Sequence, residues 1–221
     1  MVISATRDAG LDEVLACAQR ITSLDRVLVV ASSHTVARVR AQLVWYPDVQ
    51  LVVEPRDLGS AVELLYPLAS VLESDPLAVI VFVPAECHVA GHALADALES
   101  ASYTIAGHQL ALVGPGPFDW RSGRASFIAA GLLTTFWDQA RLALPEHAAM
   151  FERYAAAIAT PDQARALDAA FTTLLRASVG RDLLAHAHQL AIVPLSPHRL
   201  HLHVLTVDAP AAATAPSREA A

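Results

Sequence analysis

Lysine is missing altogether: all fifteen basic residues of the 221-residue chain are arginine. No side chain can therefore form a Schiff base, act as an amine base or set a primary ammonium on a phosphate. Cysteine is nearly as scarce, with Cys17 and Cys87 alone, too few for a disulfide framework and wrongly spaced for a zinc knuckle. Both are expected as reduced thiols. An excess of positive charge is absent too. Twenty-two acids against fifteen bases leave a net charge of −7 without any local basic run, which excludes a nucleic-acid partner. The longest apolar run, residues 76–85, is about half of what a bilayer-crossing helix needs, so no membrane span is expected. The opening MVISATRDAGLDEV lacks a basic start followed by an apolar stretch and does not read as a secretory signal, which makes the cytoplasm the expected location. There is no internal repeat, and the thirteen prolines are dispersed, which argues against a solenoid or a fibre.

What is present is core material. With 54% hydrophobic residues, the chain can bury one full-sized domain. RVLVVA at 26–31 reads as a strand, followed by a helical pattern through Val36, Val39, Leu43 and Val44. The alternation repeats as VQLVVE at 49–54, a turn at 55–59 and a helix burying Ala61, Leu64, Leu65, Leu68 and Leu72. It repeats again as LAVIVFV at 77–83, a loop at 84–88 and a helix over 93–101, before the strand QLALVG at 109–114. Unbroken apolar strands separated by helices predict a mostly parallel sheet with helices on both faces. Ligands of such sheets sit beyond the carboxyl ends of the strands, which directs attention to residues 54–60 and 84–88.

Beyond these, residues 126–131 read as a strand and 132–176 as an Ala-rich helical part broken near Pro145 and restarted at Thr160-Pro161. Two short strands, LAIVPL and HLHVLTV, follow. The expected organisation is one α/β domain over residues 1–208 and a disordered Pro/Ala-rich tail over 209–221.

Three segments resemble a known family in order and spacing. EPRDLGSAVELLYPLASVLESDPLAVIVFVPAECHV at 54–89, RASFIAAGLLTTFWDQARLALPEHAAMFERY at 124–154 and GRDLLAHAHQLAIVPL at 180–195 resemble the core motifs of mannose-1-phosphate guanylyltransferases and related sugar-phosphate nucleotidyltransferases. The resemblance covers about two thirds of the chain. It implies a Rossmann-like, GT-A-like α/β fold, a GTP or GDP-sugar site, and magnesium wherever activity is retained. Matched residue by residue, it implies nucleotide contacts at Arg7, Glu54, Gly59 and Ser60, a sugar contact at Ser126 and a metal ligand at Glu86.

The same motifs expose departures. The phosphate transfer performed by that family needs cations to neutralise developing charge, yet VISATRDAG offers only Arg7 where the family has a Gly-rich loop with an arginine and a lysine. Glu86 and Cys87 stand for the family's Asp-His, and the longer side chain of glutamate shifts a carboxylate that magnesium needs in near-ideal octahedral geometry. Leu58 replaces a usual base, and Ala125 replaces an asparagine. Only PGPFDWRSGRA remains where sugar-contacting segments belong, and SPHRLHLHVL stands where a second metal carboxylate is expected. The implied function is a catalytically degenerate nucleotidyltransferase-like protein. A divergent active guanylyltransferase using Glu86 and Arg7, and a non-catalytic interaction module built on the helices of 132–176, are the alternatives, with a homo- or hetero-oligomer as partner state.

Each of these residues also has a structural reading. Glu54, Arg7 and Glu86 can be ordinary solvated charges, and Gly59-Ser60 a common helix start. His198, His201 and His203 form HxxHxH, a spacing that suits metal only if the imidazoles converge. A hydrolase is disfavoured by the absence of a Gly-x-Ser-x-Gly elbow. Trp45, Trp120 and Trp137 are expected to serve packing.

Overall fold

The structure is a computed structural model that describes residues 1–6, 11–72, 74–85, 91–107, 109–114, 127–187, 189–195 and 203–206. Among these residues eight strands form one sheet: β1 (Val2–Ser4), β2 (Leu28–Ser32), β3 (Gln50–Glu54), β4 (Val79–Pro84), β5 (Leu110–Gly114), β6 (Ile128–Leu132), β7 (Gln189–Pro194) and β8 (His203–Thr206). Their order is β3-β2-β1-β4-β6-β5-β7-β8. The first four are mutually parallel, in register through Val2 beside Leu28 and Phe82, and Glu54 ends level with Ser32. β5 and β7 also pair in parallel. β6 inserts antiparallel between β4 and β5, and β8 lies antiparallel on β7. The fold is thus α/β, Rossmann-like and mostly parallel. Insertion of β6 departs from the simple alternation that the sequence pattern suggests.

Seven helices among the described residues cover the sheet: α1 (Leu11–Ala18), α2 (Val36–Leu43), α3 (Ser60–Val71), α4 (Gly91–Ala106), α5 (Leu133–Ala143), α6 (Pro145–Ala157) and α7 (Gln163–Thr173). Because side chains alternate along a strand, two cores result. One face, carrying Ile3, Val29, Val83 and Val113, packs against α1, α2 and α4. The other, carrying Val2, Val30, Phe82 and Leu112, packs against α3 and α5–α7. On that second face Tyr66 of α3 meets Phe151, Tyr154 and Phe171 at ring-centroid distances of 6.1, 5.5 and 5.3 Å. This cluster ties the helical carboxyl-terminal part to the sheet.

Sequence expectations meet the structure closely at the elements and less closely at their ends. Pro145 opens α6, as its missing N–H favours. α7 begins two residues past Pro161 because Thr160 Oγ1 accepts the Asp162 N–H and holds a turn there. Trp137 is buried, whereas Trp45 is 82% exposed and needs correction as a packing residue. It lies in the turn that follows α2, off the helix's buried side. Cys17 is a buried free thiol whose titration burial pushes upward. No helix among the described residues is long and apolar enough to cross a membrane. Trp120, Cys87, His198, His201 and the tail at 209–221 lie outside the described residues.

Candidate functional site

The parallel strands deliver their carboxyl ends to one edge of the sheet. Past their last ladder residues β1 continues beside β2, with the Ala5 N–H donating to Val30 O, and β4 continues beside β1, with the Ala85 N–H donating to Ser4 O, each at 2.8 Å. The described backbone of these two strands reaches Thr6 and Ala85, while Arg7, Glu86 and Ser126 lie outside the described residues. Strand order switches direction of growth around β1, with β2 on one side and β4 on the other, and this is where α/β sheets hold ligands. After β1 the described chain continues at α1, whose first turn carries the exposed carboxylates Asp12 and Glu13.

Beneath α3 the same edge carries a buried acidic pair. Glu54, at the end of β3, is 0% exposed, and among the described residues neither of its carboxyl oxygens has a hydrogen-bond partner. Burial first, then the charges of Glu63 and Asp57, push its titration up to about 9, against an opposing pull from Arg176. Glu54 is therefore a neutral acid at ordinary pH. Glu63, one turn into α3, is 7% exposed and accepts hydrogen bonds from two hydroxyls, Ser4 Oγ on one oxygen and Thr6 Oγ1 on the other at 3.0 Å. The Tyr66 hydroxyl, bonded to Tyr154, is held in its neutral form, chiefly by burial and then by Tyr154 and Glu54.

The turn from β3 into α3 is sealed by the chain itself. Gly59 has φ +86°, and a Cβ there would stand 2.5 Å from the Ala177 carbonyl oxygen. Only glycine fits both conditions. Asp57 Oδ1 accepts the Gly59 N–H at 2.9 Å. A strap formed by residues 174–178 then lies over the turn: the Ala177 N–H donates to Leu58 O at 2.8 Å and the Ala61 N–H to Ala177 O at 3.1 Å. The Ser60 hydroxyl accepts the Val179 N–H at 3.0 Å, Arg56 donates to Leu174 O at 3.2 Å, and Arg176 pairs with Asp57 at 3.1 Å. The Val62 and Glu63 N–H groups turn back to Gly59 O. Three first-turn donors of α3, which could otherwise hold an anion, are thus taken.

Of the residues singled out by sequence, the structure brings Glu54, Gly59 and Ser60 together in one turn, the first buried under α3 and the other two engaged by the strap. Sequence reasoning missed Ser4, Thr6, Glu63, Asp57 and Arg176. A signal for Glu63 exists: it is the only charge within AVELLYPLA, and a charge inside an apolar helical run is rarely placed there without a partner.

Glu86, the magnesium ligand that the resemblance implies, lies outside the described residues. Glu54 is neutral and fully buried, Glu63 is engaged by hydroxyls, and no group of three acidic, histidine or cysteine side chains among the described residues is placed to hold an ion. His203 is described in its backbone alone.

No protein-family model matches the sequence, and no curated protein matches it significantly. Solved structures do resemble the fold. A protein described as mannose-1-phosphate geranyltransferase from Thermus thermophilus superposes with a TM-score of 0.68 at 16% identity, over 87% of this chain and 65% of its own. A mannose-6-phosphate isomerase from Helicobacter pylori gives 0.60 at 12% identity, over 77% and 83%. At 16% and 12% identity these likenesses show a shared α/β fold. The chain spans less than two thirds of the first of the two proteins.

Proposed function

We propose that this chain is a sugar-phosphate nucleotidyltransferase-like protein that holds a nucleotide or nucleotide sugar at the β1/β4 edge of its sheet without turning it over efficiently. One observation carries this reading: the fold supplies the ligand edge, but the described side chains at β1 and the start of α1 are acidic or neutral, and the two arginines of the neighbouring turn and strap, Arg56 and Arg176, are engaged by Leu174 O and Asp57. Asp12 and Glu13 occupy the first turn of α1, where a triphosphate would need positive potential. Glu63 and Glu54 lie behind β1 and β3, and the chain contains no lysine. Phosphoryl transfer depends on preorganised positive charge, so weak binding can persist where catalysis does not. Within this proposal Arg7, which follows β1 in the sequence, is a nucleotide contact, Glu86, which follows β4, is a metal ligand, Ser126 is the sugar contact, and Glu54, Gly59 and Ser60 build the wall behind the nucleotide. Magnesium would enter only with the nucleotide.

Calorimetric titration with GTP and with GDP-mannose, each with magnesium, tests it. Saturable binding in the micromolar-to-millimolar range together with no pyrophosphate release from GTP and mannose-1-phosphate is the expected outcome. Absence of heat at millimolar ligand would overturn the site. Sustained pyrophosphate release abolished by Glu86→Ala would replace this reading with that of a working enzyme.

A further inference from the structure

Two carboxyl groups under one helix, one clasped by hydroxyls and one without any partner, form an arrangement with a preferred proton count. Glu63 is the clasped member. Its oxygens receive Ser4 and Thr6, which flank Ala5 at the root of the segment leading from β1 to α1. Glu54 is the bare member, 0% exposed with both oxygens unpartnered among the described residues. The two lie on the same side of the sheet, because Ser4 and Glu54 continue the alternation of Val2 and Val52, which face the α3 core.

We propose that Glu63 is the positioning residue that fastens the β1–α1 root to α3, and that Glu54 is its proton-dependent counterpart, so that the fastening, and the strap above it, hold only while the pair carries one proton. With Glu54 neutral, the pair is spared a second charge under α3, and Glu63 accepts two hydroxyls among the described residues. Loss of that proton would put a second, unsolvated charge in the same low-dielectric space, which proteins relieve by opening locally. Among the described residues, the charged or titratable neighbours that act on Glu54 are Glu63 and Tyr66 from α3, Asp57 from the turn and Arg176 from the strap. Two of these are acids, and among the described residues Arg176 alone opposes them. Its guanidinium is largely exposed and shared with Asp57, so it screens a second charge poorly. Titration of Glu54 near pH 9 agrees with the direction.

Opening would act on both ends of the arrangement. At one end the Ser4 and Thr6 hydroxyls lose a fixed acceptor and the β1–α1 root loosens. At the other the turn at Asp57 to Ser60 loses the packing that holds Ala177 and Val179. This deepens the proposed ligand edge by naming what holds one of its two walls, and in that respect rests on the functional reading above. The fastening itself needs no ligand.

Hydrogen exchange read by mass spectrometry on the full chain without ligand, from about pH 6 to about pH 9.5 and corrected for intrinsic exchange, tests the proposal. In the parent chain, protection of peptides containing Ala61, Ala177 and Val179 is expected to fall about tenfold or more over that range. Glu54→Gln should flatten the profile, and Glu54→Leu serves the same purpose should the amide not be accommodated. Glu63→Gln should lower protection of peptides covering residues 1–6 about fivefold even at the acid end, where the parent is tight. A parent profile that stays flat to about pH 9.5, or one that falls equally in the Glu54 variants, overturns the proposal. Both readouts stand even if the chain binds no nucleotide.

Discussion

Two helices begin at the carboxyl edge of one parallel sheet, and the chain treats their starts differently. α3 opens under a strap of its own polypeptide, which takes the Ala61 N–H and covers Gly59 and Ser60. α1 opens with Leu11 buried and Asp12 and Glu13 exposed to solvent. One start has been absorbed into the core, while the other, on the helix that follows β1, carries carboxylates that disfavour the anions a helix start usually attracts. The difference teaches that strand ends alone do not make a ligand edge: the commitment of backbone donors and the charge at each helix start also decide it.

The contrast can be broken from the α3 side. Gly59→Val places a β-branched side chain at φ +86° against the Ala177 carbonyl. A loss of about 4 kcal/mol in urea unfolding is expected from strain and overpacking together. Asp12→Asn, at the exposed start, should stay within about 0.5 kcal/mol in the same assay. Alkali should act in the same direction as the glycine substitution. Glu54 titrates at about 9 rather than at 4.5, so its contribution to stability is complete below its unfolded-state value and is lost as pH rises through its folded one. A slope of about 1.4 kcal/mol per pH unit is expected from this group between those values, and Glu54→Gln should remove it.

Smaller effects sharpen the comparison. Ser60→Ala leaves the Val179 N–H without its acceptor and should cost about 1–2 kcal/mol. At α1, removing one first-turn carboxylate with Asp12→Asn should tighten GTP about two- to fivefold by titration at low salt, and the gain should fade as salt is added. Arg176→Ala should change stability least, by about 0.5 kcal/mol or less, because its pairing with Asp57 is solvent-exposed.

The sheet and its helices were legible because apolar periodicity writes them directly. An unbroken apolar run reads cleanly as a strand when both of its faces are covered, and Leu28–Ser32 and Leu110–Gly114 are buried throughout. The place of β6 was not legible, since strand order depends on which edges meet in three dimensions and Ile128–Leu132 carries no mark of its direction. Glu54 was visible as a strand-end acid, but its neutrality was not. That follows from the coverage of α3 and from the charge of Glu63, which sits in the next helix rather than in the strand. Gly59 and Ser60 were picked out as a helix start without any hint of the strap, because residues 174–178 are remote in sequence and meet the turn largely through backbone atoms. Trp45 shows the opposite limit: composition favours burial of tryptophan, and a turn beyond α2 leaves it exposed.

Pyrophosphate release from GTP and mannose-1-phosphate in the presence of magnesium, run beside a GDP-mannose titration on the same preparation, tests the central claim most directly. Saturable GDP-mannose binding with no release above the protein-free background is the predicted result. Multiple turnovers per chain that vanish in Glu86→Ala would contradict it.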